Sequence, residues 1–266
     1  MSRDRDLSPL GPKSDAVTGA RALLQAKERR IQRRFLVEGP GAVSAALDAG
    51  ALRDLYTTDL ADPLTSQAKA AGCRVYFVTE PALNALSETV SPRGPIGVAA
   101  IPEAELDEVL AGARAVLICD AVSDPGNLGT MVRTAAAAGF DAVITTNGSA
   151  DPWSGKVVRS SVGTCFAIPI FAGLSLDLLQ SSLRRYGIAS YALAGEAAAD
   201  LLSMGERLAA PHAWFVGSEA HGVSEGAKAG ADLLVRIPMA DGVESLNAGV
   251  AAAISMYETT RAQGRF

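Results

Sequence analysis

Short apolar runs separated by helix-like segments fill the first hundred residues of the chain. A short apolar run bounded by turn residues favours a strand, and apolar positions spaced by three and four favour a helix. The pattern therefore predicts strands at 35–38, 55–57, 74–78 and 96–101, and helices at 17–30, 39–49, 63–71 and 81–86. Strands and helices that alternate at this pace indicate a compact α/β domain.

The alternation resumes after an acidic stretch at 102–108, where we place a domain boundary. The run at 115–119 is apolar throughout, which is typical of a parallel strand buried on both faces. Further strands are predicted at 142–144, 167–168, 188–193, 214–216 and 233–237, with helices at 127–138, 176–185 and 246–260. We expect an α/β protein with a smaller domain at 1–103 and a parallel-sheet domain at 114–266.

Composition narrows the class of protein. Hydrophobic residues make up 48% of the 266 residues and aromatic residues 5%, which suits Ala-rich helices on a sheet and not a disordered chain. No apolar run approaches the roughly 20 residues that span a bilayer. The three cysteines lie far apart, so neither a zinc site nor a disulfide framework is indicated. We therefore expect a cytoplasmic protein with no membrane or metal partner.

Charge is unevenly distributed along the chain. The net charge of −5 argues mildly against a nucleic-acid partner, yet residues 1–38 hold nine Lys and Arg against five Asp and Glu. Around the predicted first helix, Glu28 is the one acidic residue among six basic ones, namely Arg21, Lys27, Arg29, Arg30, Arg33 and Arg34. Such a strip is either a solvated helix face or a surface for phosphates, and composition leaves both open.

The first of three polar segments, 120–133, leaves a strand and begins a helix near Asn127. Gly126, Gly129 and Arg133 are spaced by three and four, so they share one helix face. The two glycines would leave room for a ligand in front of the guanidinium. The alternative is a surface arginine with glycines that only pack the helix. A dinucleotide site is disfavoured, because the Gly-x-Gly-x-x-Gly spacing is absent.

The second segment, 214–224, again runs from a strand into a loop. Gly217 and Gly222 permit close backbone approach, and Glu219 projects a carboxylate near the strand's end. Parallel sheets bind ligands at the carboxyl ends of their strands, so Glu219 is a candidate site residue. A solvated loop glutamate is the alternative. His221 stands in the same loop, and we expect it to be exposed and without a role.

The third segment, 237–247, ends a strand and turns at Asp241-Gly242. The helix that follows is predicted to carry Ser245 and Asn247 in its first turn. Side chains and free N–H groups at such a start suit a polar small molecule, whereas a well-capped helix is the plainer alternative.

Together the three segments resemble the signature blocks of the SpoU (TrmH) family of RNA ribose 2′-O-methyltransferases, in the SPOUT superfamily. The matching stretches are Asn127-Leu-Gly-Thr-Met-Val-Arg133, Gly217-Ser-Glu-Ala-His-Gly222, and Ile237-Pro-Met with Ser245-Leu-Asn247. In the N-terminal half, Phe35-Leu-Val-Glu-Gly-Pro40, Leu86-Ser-Glu-Thr and the strand at Arg93-Gly-Pro-Ile-Gly-Val look like the family's RNA-binding domain, which is related to ribosomal protein L30e.

The resemblance implies a trefoil knot near the C-terminus, S-adenosylmethionine held in that knot, and a homodimer with the active site near the interface. Carried over by position, the cofactor would be held by Gly217, Ile237, Met239, Ser245, Leu246 and Asn247. The catalytic site would comprise Asn127, Arg133, Glu219, Ser245 and Asn247. The family usually continues with Val and Ser after this point, where this chain has Ala248 and Gly249. In the Ala-rich last helix we expect Ala252, Ala253 and Met256 to contact the partner.

The implied reaction is in-line transfer of the cofactor's methyl group to a ribose 2′-hydroxyl. Family proposals give the role of base to the arginine that matches Arg133. A guanidinium is effectively always protonated, so we expect Arg133 to clamp the target phosphate and stabilise the developing alkoxide, with Asn127 orienting it. Ribosomal RNA, 23S in particular, is the expected substrate. The alternatives are transfer RNA, or an RNA-binding protein without catalysis.

Overall fold

The computed structural model describes residues 8–89, 92 and 94–265 of the chain, which divides into two compact units. The first unit is Met1–Pro102 with Trp153–Phe166, and the second is Glu103–Pro152 with Ala167–Phe266. Arg93, part of the predicted RNA-domain match, lies outside the described residues. Within those residues, no helix is both long and apolar enough to span a membrane.

Strands and helices alternate through both units. The strands are β1 (Arg34–Glu38), β2 (Leu52–Thr57), β3 (Arg74–Phe77), β4 (Ile96–Ala100), β5 (Ala115–Asp120), β6 (Ala142–Thr146), β7 (Ile170–Leu174), β8 (Ala189–Leu193), β9 (Ala199–Asp200), β10 (His212–Gly217) and β11 (Leu233–Arg236). The α-helices are α1 (Asp15–Arg21), α2 (Ala26–Gln32), α3 (Pro40–Asp48), α4 (Pro63–Ala70), α5 (Glu80–Asn84), α6 (Leu106–Gly112), α7 (Pro125–Ala137), α8 (Gly155–Ser161), α9 (Leu176–Arg185), α10 (Gly205–Ala209), α11 (Glu225–Gly230) and α12 (Ala248–Ala262).

The first unit is built on a four-stranded sheet in the order β1-β4-β2-β3, with β4 antiparallel to both of its neighbours. The four predicted strands all form. On one face of the sheet, Val17, Ala20 and Leu23 pack against Leu36 and Val98. Because α1 supplies part of this core, the N-terminal helical region is an integral part of the unit.

The predicted helix at 17–30 is interrupted. After α1 a single 3₁₀ turn leads to Gln25, whose backbone is extended, and α2 follows. The Arg29 guanidinium folds back and donates to the carbonyls of Leu23 and Leu24, at 2.8 Å each. It therefore satisfies backbone groups that the interruption leaves without helical partners. Arg29 is buried, so the predicted basic strip loses this cation.

The other face of the first unit's sheet is covered by a segment from the second half of the sequence. Phe35 contacts Trp153 and Phe166, with ring centroids 5.0 and 5.5 Å apart. Gly163 has φ +79°, and a Cβ there would crowd Ala45. The sequence pattern does not reveal this contact, because α8 is short and its partners lie more than a hundred residues away.

The second unit contains a seven-stranded sheet in the order β7-β6-β5-β10-β8-β11-β9, and every pair is parallel. β5, β6 and β10 are buried along their whole length, which confirms the predicted α/β parallel sheet. The strand predicted at 167–168 is wrong, because the strand lies at Ile170–Leu174. It forms a partly exposed edge of the sheet, so its apolar signal is weak.

Helices cover both faces of this sheet. On one face, Leu110 of α6, Leu179 and Leu183 of α9 and Ala227 of α11 join a core with alternate residues of the central strands. On the opposite face, the Trp214 indole of β10 donates to Thr259 of α12 at 2.9 Å. The short helices α6, α10 and α11 were not predicted, because five to seven residues carry too little periodicity.

The last helix begins two residues later than predicted. Asn247 is its N-cap, because the Asn247 side-chain oxygen accepts from the Val250 N–H at 3.2 Å. Ser245 lies in the loop before the helix. The expectation that Ala252 and Met256 contact a partner is wrong, because both are fully buried inside the unit.

Candidate active site

A cavity lies where β8, β10 and β11 end. Six residues with a predicted role line it, namely Gly217, Glu219, Ile237, Met239, Ser245 and Leu246. They come from the second and third polar segments, which lie side by side although residues 225–236 separate them in the chain. The position agrees with the general tendency of parallel sheets to bind ligands at the carboxyl ends of their strands.

A tight turn after β10 forms one wall of the cavity. The Gly222 N–H donates to the Ser218 carbonyl at 2.8 Å, and Gly222 has φ +65°. A Cβ at Gly217 would overlap the carbonyl of Gly222, so only glycine fits at this position. The turn places Glu219 at the edge of the cavity.

Asp120, at the carboxyl end of β5, connects this turn to the rest of the sheet. Its carboxylate is buried and accepts from the Thr146 hydroxyl at 2.9 Å and from the Ser224 N–H at 2.7 Å. Both carboxylate oxygens therefore have donors, as a buried charge requires. The sequence pattern does not indicate this role, because neither partner is near Asp120 in the chain.

A cluster of polar side chains combines all three segments beside the cavity. The Asn247 amide donates to the Asn127 side-chain oxygen at 3.1 Å and also to a carboxylate oxygen of Glu219. Asn127 is held in the first turn of α7, where its N–H donates to the N-cap carboxylate of Asp124 at 2.7 Å. Asn247 does not line the cavity, but it contacts Glu219, which does. We refer to Asn127, Glu219 and Asn247 as the amide cluster.

Arg133 stands apart from the amide cluster. It lies on α7 six residues after Asn127, which places it about 240° further around the helix axis. Its side chain is exposed and makes no hydrogen bond or ion pair within the described part of the chain. Gly129 is buried, which agrees with the packing alternative.

A comparison with known proteins decides the family. The model of the SpoU rRNA Methylase family matches residues 114–257, more than half of the chain. The chain belongs to this family. A second model, the MRM3-like substrate binding domain, matches residues 15–97. The predicted SpoU membership is therefore confirmed.

Relatives of this SpoU protein cover nearly its whole length. It is 36% identical over 246 residues to the 23S rRNA (guanosine(2553)-2′-O)-methyltransferase RlmP of Bacillus subtilis, covering 92% of this chain and 96% of that protein. An AdoMet-bound rRNA methyltransferase from Sinorhizobium meliloti has a TM-score of 0.84 at 29% identity, covering 95% and 97% of the two chains. A crystal structure of an RNA 2′-O ribose methyltransferase has a TM-score of 0.80 at 32% identity, covering 97% and 100%.

In this SpoU protein the cavity also uses residues that the sequence analysis did not single out. Leu193, Ala194 and Gly195 line it from the end of β8, and Glu244 lines it from the loop before α12. The apolar end of β8 looks like any buried strand in the sequence. The order of strands in the sheet could have indicated it, because β8 lies between β10 and β11.

Proposed function

We propose that this protein is an S-adenosylmethionine-dependent methyltransferase that acts on a ribose 2′-hydroxyl in structured RNA, with 23S ribosomal RNA as the first candidate. The observation that carries the proposal is the amide cluster at the edge of the cavity, since it joins the three SpoU segments at one site. The names of the similar proteins, an rRNA guanosine 2′-O-methyltransferase and an AdoMet-bound rRNA methyltransferase, support it.

The residues of the cavity fit this cofactor. Apolar side chains, among them Leu193, Val235 and Ile237, suit the adenine ring, and the glycine turn offers backbone groups for hydrogen bonds. The carboxylates of Glu219 and Glu244 line the same cavity and favour a ligand that carries positive charge. When bound, the cofactor supplies an electrophilic methyl group on a sulfonium.

The amide cluster would position the ribose. The Asn247 amide nitrogen donates to Asn127 and Glu219, and its side-chain oxygen accepts from an N–H of α12. All three polar side chains are therefore held in fixed positions before the substrate binds. Such preorganisation supplies a large part of the rate in a transfer between two bound molecules. Ser245 lines the cavity and adds a hydroxyl at the same edge.

Arg133 would bind the substrate and not the cofactor. An exposed guanidinium without a partner in the described part of the chain is available for the RNA phosphate. It also stabilises negative charge that develops on the attacking oxygen. Arg133 does not line the cavity, so its proposed role is separate from cofactor binding.

A homodimer belongs to the same proposal. Val250 and Tyr257 of α12 are 47% and 50% exposed, and Ile254 between them is partly exposed. Residues at this spacing lie along one helix face, opposite the buried Ala252 and Met256. Asn247 caps the same helix, so a partner on this face would lie close to the amide cluster. The cytoplasmic location, the trefoil knot and the likeness to L30e stay predictions.

Titration calorimetry with S-adenosylmethionine and with NADH tests the cofactor, and transfer of a labelled methyl group to 23S ribosomal RNA tests the reaction. We expect binding of S-adenosylmethionine alone and ribose methylation of 23S RNA. Binding of NADH without any response to S-adenosylmethionine would contradict the proposal. Methylation of transfer RNA in place of ribosomal RNA would favour the alternative substrate.

A further inference from the structure

A second cavity lies in the first unit, between α1 and one face of the four-stranded sheet. Its floor carries Arg34 of β1, Asp54 and Tyr56 of β2, and Arg74 and Tyr76 of β3. We call it the sheet groove. The groove shares no residue with the candidate active site, and none of the three SpoU segments contributes to it.

Two arginines occupy the outer strands of the groove. Arg34 is on β1 and Arg74 is on β3, with β4 and β2 between them. Three strand spacings of about 4.8 Å separate the two outer strands by about 14 Å. Arg74, Asp54 and Val98 form one cross-strand row, which ends on β1 at Leu36, and Arg34 lies two residues before Leu36 on the same face. The groove therefore has a cation at each side and is wide enough for a short piece of polynucleotide.

The two arginines differ in how they are held. Arg74 forms a bidentate pair with the buried Asp54, at 2.5 and 2.9 Å, while its side chain stays 63% exposed. Arg34 is half-buried and makes no hydrogen bond or ion pair with any described residue. Asp15 at the exposed start of α1 is the other acidic residue of the groove. Among the described residues, Arg34 is thus a cation without a neutralising partner.

Two tyrosines form an aromatic stack in the floor. The rings of Tyr56 and Tyr76 are 4.9 Å apart and 18° from parallel. The Tyr56 hydroxyl donates to the Ala16 carbonyl at 3.0 Å, which fixes the inner ring under α1. Tyr76 is on the edge strand and is partly exposed, and the Arg74 guanidinium lies 6.0 Å from its ring centroid. One face of the Tyr76 ring is used in this stack, so a further flat ring would have to use its other face.

We propose that the sheet groove binds an unpaired segment of the RNA substrate, with a base stacked on Tyr76 and phosphates at Arg34 and Arg74. This inference deepens the proposed function and rests on it. Aromatic rings beside arginines are the usual means of binding single-stranded RNA, because every base has a flat face and every linkage a charge. A double helix keeps its bases stacked inside, so it cannot use Tyr76.

Fluorescence anisotropy with the full-length protein tests this inference. The probe is a fluorescein-labelled oligouridylate of about eight nucleotides, within the usual site size for such grooves. A hairpin duplex of similar length is the comparison. We expect the oligouridylate to bind more tightly than the duplex. Tyr76→Ala should weaken its binding roughly tenfold, whereas Tyr76→Phe, which keeps the ring, should bind as the wild type does.

Arg34→Ala provides an independent variant. It should weaken binding and lower the slope of log affinity against log salt by about one, because one phosphate contact is lost. Arg53→Ala is the matched control, since Arg53 is an exposed arginine of β2 that does not line the groove. Arg53→Ala should leave both the affinity and the salt slope unchanged.

Two outcomes would overturn the inference. One is equal affinity of the wild type, Tyr76→Ala and Arg34→Ala for the oligouridylate, and the other is a preference for the duplex. Methyl transfer by the wild type, measured on the same preparations, separates this failure from a failure of the proposed function. If the wild type methylates RNA while both variants bind it normally, the enzyme uses another surface for its substrate.

Discussion

Asn247 combines two roles that a single substitution can separate. Its oxygen caps α12, and its amide nitrogen donates to Asn127 and Glu219. Asp is as good an N-cap as Asn, but it has no amide donor and would face the Glu219 carboxylate. The two functions of this residue are therefore chemically distinct.

We expect Asn247→Asp to keep the cap of α12 and to lower the rate of methyl transfer by about a hundredfold or more. Asn247→Ala should also lower the free energy of unfolding by about 1 kcal/mol, because the cap is lost. Urea denaturation and single-turnover methyl transfer measure the two effects. Wild-type turnover in Asn247→Asp would mean that the amide cluster has no catalytic role.

Arg133→Ala should abolish methyl transfer and leave fold and cofactor affinity nearly intact, because the side chain is exposed and has no partner in the described chain. Arg133→Lys should restore little, since an ammonium cannot bind a phosphate in the bidentate manner. Methyl transfer and cofactor titration on the same preparations check this. Loss of cofactor binding in Arg133→Ala would assign the residue to the cofactor site instead.

At the scale of elements, carboxylates hold the ends of the strands in position. Asp120 joins β5, β6 and the segment after the Gly217 turn. At the opposite end of β5, Asp141 accepts from the N–H groups of Arg114 and Ala115 at 2.8 Å each. Asp120 accepts with both carboxylate oxygens, whereas Asp141 accepts with Oδ2, and only Asp120 is close to the candidate active site.

In Asp120→Asn, an amide nitrogen takes the place of one carboxylate oxygen. The oxygen accepts hydrogen bonds and the amide nitrogen does not. We expect the free energy of unfolding to fall by about 1–3 kcal/mol and cofactor affinity to weaken, because the Ser224 segment loses its acceptor. Asp141→Asn is the control at the opposite end of β5. Its amide oxygen can still accept from both N–H groups, so cofactor affinity should stay unchanged and stability should fall less than in Asp120→Asn. An equal change in cofactor affinity in both variants would contradict a specific role for Asp120.

His212 connects β10 with α12. One ring nitrogen lies 2.9 Å from the Ala210 carbonyl and the other 2.9 Å from the Thr259 hydroxyl, which also accepts from Trp214. A carbonyl only accepts, so this arrangement fits a neutral ring that donates to Ala210 and accepts from Thr259. Burial is the largest cause that lowers the pKa of His212, to about 4.

Stability should therefore depend on pH below the ordinary histidine pKa of about 6.5. Between about 6.5 and 4 the unfolded chain binds a proton at His212 that the folded chain does not. The free energy of unfolding then falls by up to about 1.4 kcal/mol for each pH unit on acidification, and is constant above this range. Urea denaturation at pH 7.5 and 5.5 measures the effect, and His212→Gln should remove it.

At the scale of the whole molecule, the prediction of a dimer rests on the exposed face of α12. Val250→Glu would place a charge on the apolar stripe with Tyr257, and we expect it to convert a dimer into a monomer in light scattering. Lys27→Glu on the exposed side of α2 is the control and should stay dimeric. A wild type that is monomeric at micromolar concentration would exclude the dimer.

The basic strip is to be tested by point substitution, because the segment that carries it is also needed for the fold. Val17, Ala20 and Leu23 form part of the first unit's core, and Arg29 holds the turn between α1 and α2. Point substitutions of the exposed Lys27 and Arg30 leave this core intact. A weaker RNA affinity with a smaller salt slope is expected for them.

The sequence by itself determined the α/β class, most of the strands and longer helices, and the three polar segments. These features are local, because apolar spacing, turn residues and caps act over a few neighbouring residues. Asn127, Glu219 and Asn247 are far apart in the chain, so local patterns do not group them. They could be proposed together only because their segments resemble those of a family.

Only the tertiary structure decided which distant residues meet. It joined Trp153–Phe166 to the first unit, buried Arg29, paired Asp120 with the Ser224 N–H, and placed the end of β8 in the wall of the cavity. Such contacts depend on the order of strands in a sheet and on burial. Neither is contained in the spacing of residues along the chain, since the same local pattern is compatible with many arrangements of the elements.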